Sequence, residues 1–309
     1  MEQAQNFNAI IEKAIVDNWD LDALTDYKGV TLQFHDVARK IEKLHILFEN
    51  GGVAKGDKIA LCGRNCSHWA VAFLATLTYG AVAVPILHEF TAEQIHNIVN
   101  HSEAKFLFVG DVVATVIDEA KMPMLEGIIN IPDYSLAVSR TEKLTYAREH
   151  LNEMFGKKYP KYFRKNHVSY YREKDGEELA MINYTSGTTG FSKGVMVPYR
   201  AIWSNYDFAE AALGDIVKHG DNTISILPMA HMYGMVIEMI HPFLKGCHLH
   251  FLTRIPSPKI IMDAFATVKP KLIIAVPLII EKIIRTKVFP LLEKPLMKLL
   301  LKVPFLDTQ

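Results

Sequence analysis

Short apolar runs alternate along this chain with longer segments whose apolar residues recur at helical spacing. Residues 58–63 (K-I-A-L-C-G) are too few for a helix and too apolar for a surface loop, so they read as a buried strand. Residues 67–80 follow as a helix, with Ser67 as its cap and Gly80 as its stop, and Ala81 to Ile86 is the next strand. Thr91 opens another helix, with Gln94 placed for a capping box, and Lys105 to Gly110 is a third strand. Apolar strands separated by helices call for parallel pairing with helices on both faces and right-handed crossovers. The expected class is α/β, in layered α/β/α units with mostly parallel sheets.

From about Pro132 to Gly176 the chain turns polar and rich in Tyr and Lys, which predicts helix and surface loops. The alternation then resumes. Ala180 to Asn183 and Val195 to Val197 read as strands, and Pro198 to Leu213 as a helix. Thr223 to Leu227, Cys247 to Leu252 and Lys271 to Val276 read as strands, with a helix near Ser257 to Val268 and another opening in Leu278 to Ile284. This organisation predicts one α/β unit over about residues 1–195 and a second over about 196–309. Leu291 to Leu306 has the pattern of an amphipathic helix in need of a partner, and no closing strand follows before Gln309. The expectation is a large domain cut partway.

Composition narrows this picture. With 309 residues, half of them hydrophobic, the chain can bury a large core. A formal net charge of +0 gives no support for a nucleic-acid partner. The local basic run Lys157, Lys158, Lys161, Arg164 and Lys165, among Tyr159, Tyr162 and Phe163, reads as a solvated loop. Trp69 to Leu87 carries no charge and nears the length of a bilayer span, but Thr76, Thr78, Tyr79, Gly80 and Pro85 interrupt it. It reads as helix plus strand, so no transmembrane segment is expected, while contact with a membrane surface stays open. Cys62, Cys66 and Cys247 are expected to be reduced core residues of a cytoplasmic protein. Met1 to Asp20 lacks the order of a signal peptide.

The chemistry concentrates in Tyr184-Thr185-Ser186-Gly187-Thr188-Thr189-Gly190-Phe191-Ser192-Lys193-Gly194, between two predicted strands. Its three glycines let the backbone turn tightly and approach a ligand. Successive backbone N–H groups can form an anion cradle, the hydroxyls add donors, and Lys193 adds a point charge. That donor set suits a polyphosphate. The spacing is neither G-x-x-x-x-G-K-[ST] opening a helix nor G-x-G-x-x-G. On composition alone, an ordinary Gly/Thr-rich hairpin loop remains open.

Tyr184 to Val195 resembles the loop Y-T-S-G-T-T-G-x-P-K-G-V of adenylate-forming enzymes, a superfamily that includes acyl-CoA synthetases, luciferases and peptide-synthetase adenylation domains. Ser192 is its one departure, where proline is usual. Gly56 to Ala60, Asn65 to Trp69, Phe73 to Ala75 and Gly80 to Pro85 are similar to the N-terminal pattern of that family. Leu227-Pro228-Met229-Ala230-His231-Met232-Tyr233-Gly234 is similar to its second signature. Val276-Pro277 with Glu281-Lys282-Ile283 resembles the long-chain fatty acyl-CoA synthetase branch. The resemblance implies that a carboxylic acid, by that branch a long-chain fatty acid, joins the α-phosphate of ATP, and that the acyl group then passes to coenzyme A. It implies that Thr185, Ser186, Gly187, Thr188, Thr189, Gly190 and Lys193 hold the β- and γ-phosphates. Thr185 would also reach Mg²⁺, held mainly by a glutamate further along. His231 would stand where acyl pocket and nucleotide meet, as the catalytic candidate. Met232, Tyr233, Met235 and Met239 read equally as acyl-pocket lining and as core.

The Y-G-x-T-E segment, the ribose-binding aspartate and the C-terminal lid domain with its adenylation lysine are not found among these residues. The chain therefore reads as the N-terminal part of such a ligase, inactive by itself. Two competing classes are a non-catalytic nucleotide-binding module and a metal-dependent hydrolase built on His241, His248 and His250. The second lacks H-E-x-x-H or C-x-x-C spacing. Aromatic or medium-chain acids remain alternatives to the fatty acid, and the oligomeric state is not legible.

Overall fold

The computed structural model describes residues 6–185, 193–253, 257–275, 277, 280, 281, 284–295 and 297. Among these, the chain runs α1 (Phe7–Asp17), β1 (Asp22–Asp26), β2 (Thr31–Gln33), α2 (Phe34–Asn50), β3 (Lys58–Cys62), α3 (Ser67–Tyr79), β4 (Val82–Ile86), α4 (Ala92–Ser102) and β5 (Ala104–Val109). Then come α5 (Asp111–Ala114), β6 (Gly127–Asn130), β7 (Leu136–Ser139), α6 (Glu142–Glu149), α7 (Leu151–Lys158), β8 (Leu179–Thr185), β9 (Lys193–Pro198) and α8 (Tyr199–Leu213). The last part holds β10 (Asn222–Ser225), α9 (Met232–Gly234), a π-helical stretch Met235–Ile240, α10 (His241–Leu244), β11 (His248–Phe251) and α11 (Pro258–Val268).

Seven strands form one sheet in the order β7-β6-β5-β3-β4-β8-β9. Its interior pairs are parallel, and both edges, β6–β7 and β8–β9, are antiparallel. Strand periodicity explains the two-faced burial. Ile59 and Leu61 of β3 join the large core with α2 and α3, whereas Ala60 and Cys62 join a second core with Ile95, Ile98 and Val99 of α4. The uncharged run from Trp69 is α3, apolar on every side because every side is packed. No helix of the described residues is long and apolar enough to cross a membrane.

The local signals act as expected at most ends. Thr91 and Gln94 form the capping box, with Thr91 Oγ1 accepting from the Gln94 N–H at 3.2 Å and Gln94 Oε1 accepting from the Thr91 N–H at 2.9 Å. Gly80 ends α3 at φ 85°, where a Cβ would also strike the Tyr171 ring at 2.7 Å. At the start of α3, the cap is Cys66 rather than Ser67. The Ser67 N–H and hydroxyl both donate to Asp26, at 2.7 and 3.0 Å, so the Cys66 Sγ accepts from Trp69 instead.

A second sheet has four strands in the order β10-β11-β1-β2. β1 pairs parallel with β11, so residues 22–33 lie in the same sheet as residues 222–251 and cross the division expected near residue 195. The strand expected at Lys271 to Val276 is not formed: residues 271–275 are irregular, and Val276 lies outside the described residues. A single backbone bond, from the Lys271 N–H to the Asn222 carbonyl at 2.9 Å, reaches toward β10, which leaves Ile273 40% exposed. Within residues 132–176 the structure adds β7, an edge strand held on β6, which the polar sequence conceals. Most of the predicted helix Leu291 to Leu306, and Leu278, Ile279, Lys282 and Ile283 with it, fall outside the described residues.

Candidate functional site

β8 and β9 form a hairpin at one edge of the large sheet. Their register sets Tyr184 opposite Gly194 and Thr185 opposite Lys193. Thr185 and Lys193 are both exposed, and they stand as a pair at the carboxyl end of β8, the end at which open α/β sheets bind ligands. Lys193 makes no ion pair among the described residues. Ser186, Gly187, Thr188, Thr189 and Gly190 lie outside the described residues. Below the pair, Tyr184 is buried and its hydroxyl meets His101 Nδ1 at 2.7 Å. Burial pushes that hydroxyl's pKa up. A Cβ on Gly194 would meet the Tyr184 ring at 3.0 Å and Ile182 Cγ2 at 2.9 Å, so only glycine lets β9 close down at this point.

The second candidate segment, residues 226–231, leaves the carboxyl end of β10 and is irregular. An irregular segment has no ladder of its own, so its backbone groups need other partners. Three side chains provide them, two from distant parts of the chain and one from the helical stretch that follows. Asn65, after β3, donates to Ser225 Oγ at 3.0 Å and to the Leu227 carbonyl at 2.7 Å, and its Oδ1 accepts from the Met229 N–H at 2.9 Å. Asn183, in β8, donates to the Ala230 carbonyl at 3.0 Å. Glu238 accepts the N–H groups of Ile226 and Leu227 through one oxygen, both at 2.8 Å. All three are buried. Burial pushes the Glu238 carboxyl up to about 8, opposed by the two N–H donors. Glu238 sits in the π-helical stretch, a backbone form found often at functional sites.

His231 ends this segment and is exposed. It is the N-cap of α9, where its Nδ1 accepts from the Tyr233 N–H at 3.3 Å. That bond fixes the ring with Nε2 free to donate. Asn183 therefore joins the two segments: two residues before Thr185, it bonds the carbonyl of the residue before His231. Met235 and Met239 are buried in the main core, Met232 packs against it, and Tyr233 is 55% exposed.

Asn65 opens one of the stretches that carry the resemblance but was given no role, and Asn183 and Glu238 were not singled out by motif. A signal exists for two of them, a polar residue inside an apolar run: A-M-I-N-Y for Asn183 and M-V-I-E-M-I for Glu238. The histidines of the hydrolase reading have other partners. His248 Nε2 meets Thr25 Oγ1 at 2.6 Å, and His250 Nε2 meets Asn222 Oδ1 at 3.2 Å. Among the described residues no group of three or more His, Cys, Asp or Glu could hold a metal ion. The three cysteines are free; burial pushes the thiols of Cys62 and Cys247 up to about 12.

Comparison with known proteins bears on family and fold. The family model described as AMP-binding enzyme matches residues 11–301. Long chain acyl-CoA synthetase 3 of Arabidopsis thaliana is 26% identical over 264 residues, which cover 83% of this chain and 38% of that protein. The inhibitor-bound N-terminal domain of FACL13 from Mycobacterium tuberculosis superposes with a TM-score of 0.72 at 22% identity, over 94% of this chain and 68% of that one. A red-emitting luciferase of Phrixothrix hirtus gives a TM-score of 0.73 at 16% identity, over 87% of this chain and 50% of that one. The chain spans about two-fifths of the length of the curated relatives it matches, from 37% to 45%. The layered, mostly parallel α/β architecture is thus that of the N-terminal domain of adenylate-forming enzymes.

Proposed function

The chain belongs to the AMP-binding enzyme family, and from that premise we propose that it forms the ATP-gripping part of an acyl-CoA ligase. The reaction joins a carboxylic acid to the α-phosphate of ATP, expels pyrophosphate, and passes the acyl group to coenzyme A. The substrate proposed is a long-chain fatty acid, on the strength of the V-P-x-x-x-E-K-I resemblance and of relatives named as long-chain-fatty-acid–CoA ligases.

One observation carries the reading: the buried bond from Asn183 to the Ala230 carbonyl. It holds the Thr185–Lys193 pair and His231 on one framework, as a reaction between nucleotide and acid requires. The chemistry of the pair suits ATP: an exposed cation without an ionic partner among the described residues faces an exposed hydroxyl across a hairpin whose closing residue is glycine. In this role Lys193 would offset the charge that develops on the departing pyrophosphate, with Ser186, Gly187, Thr188, Thr189 and Gly190 adding donors between the two strands. His231 Nε2 would donate to the acid's carboxylate. Mg²⁺ would reach Thr185 as part of a metal–ATP complex, since no described cluster of acids holds the ion by itself. Bound there, it would neutralise phosphate charge.

Within this reading, the 309 residues alone bind ATP weakly and activate no acid. The magnesium-linked glutamate, the ribose-binding aspartate and the adenylation lysine that the resemblance calls for are not among them. The test is acid-dependent pyrophosphate–ATP exchange by a protein that carries this chain together with those elements, across a panel of fatty, aromatic and short acids. Exchange strongest with long-chain acids supports the proposal. Exchange with aromatic or medium-chain acids only would redirect the substrate, and no exchange with any acid would leave a non-catalytic nucleotide module.

A further inference from the structure

A cavity of about 530 Å³ lies away from the hairpin; no residue of β8 or β9 lines it. Its floor is at the carboxyl ends of β3 and β5, at Gly63 and Gly110. These two strands are neighbours, but their connections leave in opposite directions, β3 toward β4 and β5 toward β6. That is the topological switch point of the sheet, the place where open α/β sheets take ligands. The two glycines make the floor bare backbone. A Cβ on Gly110 would meet Gly63 Cα at 3.1 Å, and a Cβ on Gly63 would meet Ile131 Cδ1 at 2.7 Å. The volume falls in the range of small-molecule sites, roughly 300–1,000 Å³.

The lining carries two cations and two carboxylates. Lys40 and Arg64 contribute two half-buried cations. Neither makes an ion pair or a side-chain hydrogen bond among the described residues, and the Arg64 Nε is buried without a hydrogen-bond partner. Burial lowers the pKa of Lys40, with the neighbouring Lys43 adding to the effect and Asp36 opposing it. Two carboxylates reach the cavity. Asp26 is occupied by the Ser67 N–H and hydroxyl, and Asp111 is exposed at the first turn of α5. Val30, Val112, Ile131 and Pro132 supply an apolar wall.

From the cavity, its unpartnered cations and its apolar wall, we infer that this switch-point cavity is a second ligand site, for a small organic anion with a carboxylate or phosphate head on a compact apolar body. The head lies against Lys40 and Arg64, where it gives the guanidinium the partner it lacks. The apolar body covers Val112 and Ile131. The site is independent of the proposed ATP grip, because the two share no residue.

The test uses the chain as it stands, labelled for NMR and titrated with phenyl phosphate, benzoate and inorganic phosphate at millimolar concentration. Phenyl phosphate or benzoate is expected to shift the Gly63 and Gly110 amides, and the tighter of the two identifies the head group. Lys40→Gln and Arg64→Gln should each weaken that binding about tenfold. Val112→Trp should abolish it by filling the cavity without touching a charge, at a position that is 46% exposed and so tolerant of a large side chain. Lys193→Ala should leave it unchanged, which separates this site from the hairpin. No shift at Gly63 and Gly110 with either organic anion, or equal affinity for the parent chain and Val112→Trp, would overturn the inference. Inorganic phosphate binding as tightly as phenyl phosphate would overturn the role of the apolar wall. Should Arg64→Gln lose its fold, Lys40→Gln and Val112→Trp still decide the matter.

Discussion

The β8–β9 hairpin and the segment 226–231 lie side by side, joined through Asn183, yet they are built by opposite means. The hairpin takes its shape from its own backbone ladder, between two strands that follow one another in the chain, and it exposes the side chains that would touch a ligand. The segment 226–231 has no ladder. It takes its shape from buried polar side chains, one of them, Asn65, more than 160 residues away. Exposed functional groups on a self-sufficient scaffold can be removed without unfolding it. Buried groups that satisfy a foreign backbone cannot, because each removal leaves polar atoms unpaired in the interior.

The sharpest break of this contrast is at Asn65. Asn65→Ala leaves the Leu227 carbonyl, the Met229 N–H and the Ser225 hydroxyl without the partner they now share. The expected cost is on the order of 3 kcal/mol, read by urea unfolding. A variant as stable as the parent would show that water replaces the side chain and that the segment does not depend on it.

Glu238→Gln comes next. The amide oxygen can still accept from Ile226 and Leu227, so what changes is titration. The carboxyl is raised in the fold, to about 8, above its unfolded value. Its contribution is therefore complete at pH values below the unfolded pKa of about 4.3 and is lost as pH rises toward 8. Stability of the parent should decline across that window, at no more than about 1.4 kcal/mol per pH unit. Glu238→Gln should flatten the decline, measured as unfolding free energy from pH 5 to 8. Parallel curves for the two proteins would remove Glu238 as the titrating group.

The hairpin should respond in the other way. Lys193→Ala is expected to lower pyrophosphate–ATP exchange at least tenfold, about 1.4 kcal/mol, in a protein that carries the chain and its catalytic complement. The melting temperature of the 309-residue chain should not move. A loss of fold would place Lys193 among the structural residues instead.

This contrast also explains how much was legible in the sequence. The strands around residues 58–110 declare themselves because both faces are buried, so all but Lys58 and Lys105 are apolar, and their ends carry local stop signals such as Gly80. The hairpin motif is legible because its glycines and hydroxyls are contiguous. Asn65 and Glu238 are not legible in the same way, because their partners are mainly backbone groups, which no residue type marks. The membership of β1 and β2 in the sheet with β10 was equally hidden: parallel pairing across more than 200 residues leaves no local pattern. Ser67 shows how a local rule yields to tertiary structure, since Asp26 arrives from another sheet and takes both of its donors.

The smallest effect is expected where the two building modes meet, at Tyr184. The ring belongs to the scaffold: it packs in the second core and sets the floor on which Gly194 rests. The hydroxyl belongs to a single polar contact, with His101 Nδ1 at 2.7 Å, and the two rings sit edge to face at 5.8 Å. Tyr184→Phe keeps the ring and removes only the hydrogen bond. His101 is exposed, so water can take over part of the bond, and the expected cost is about 1 kcal/mol in unfolding free energy with no change in exchange activity. Gly194→Ala does the converse. It keeps the hydroxyl and drives a methyl group to within 3.0 Å of the ring, which must push β9 outward and disturb the Thr185–Lys193 register. If Tyr184→Phe impaired exchange more than Gly194→Ala, the hydroxyl and His101 would belong to the chemistry, and the division between scaffold and exposed working groups would have to be redrawn at this residue.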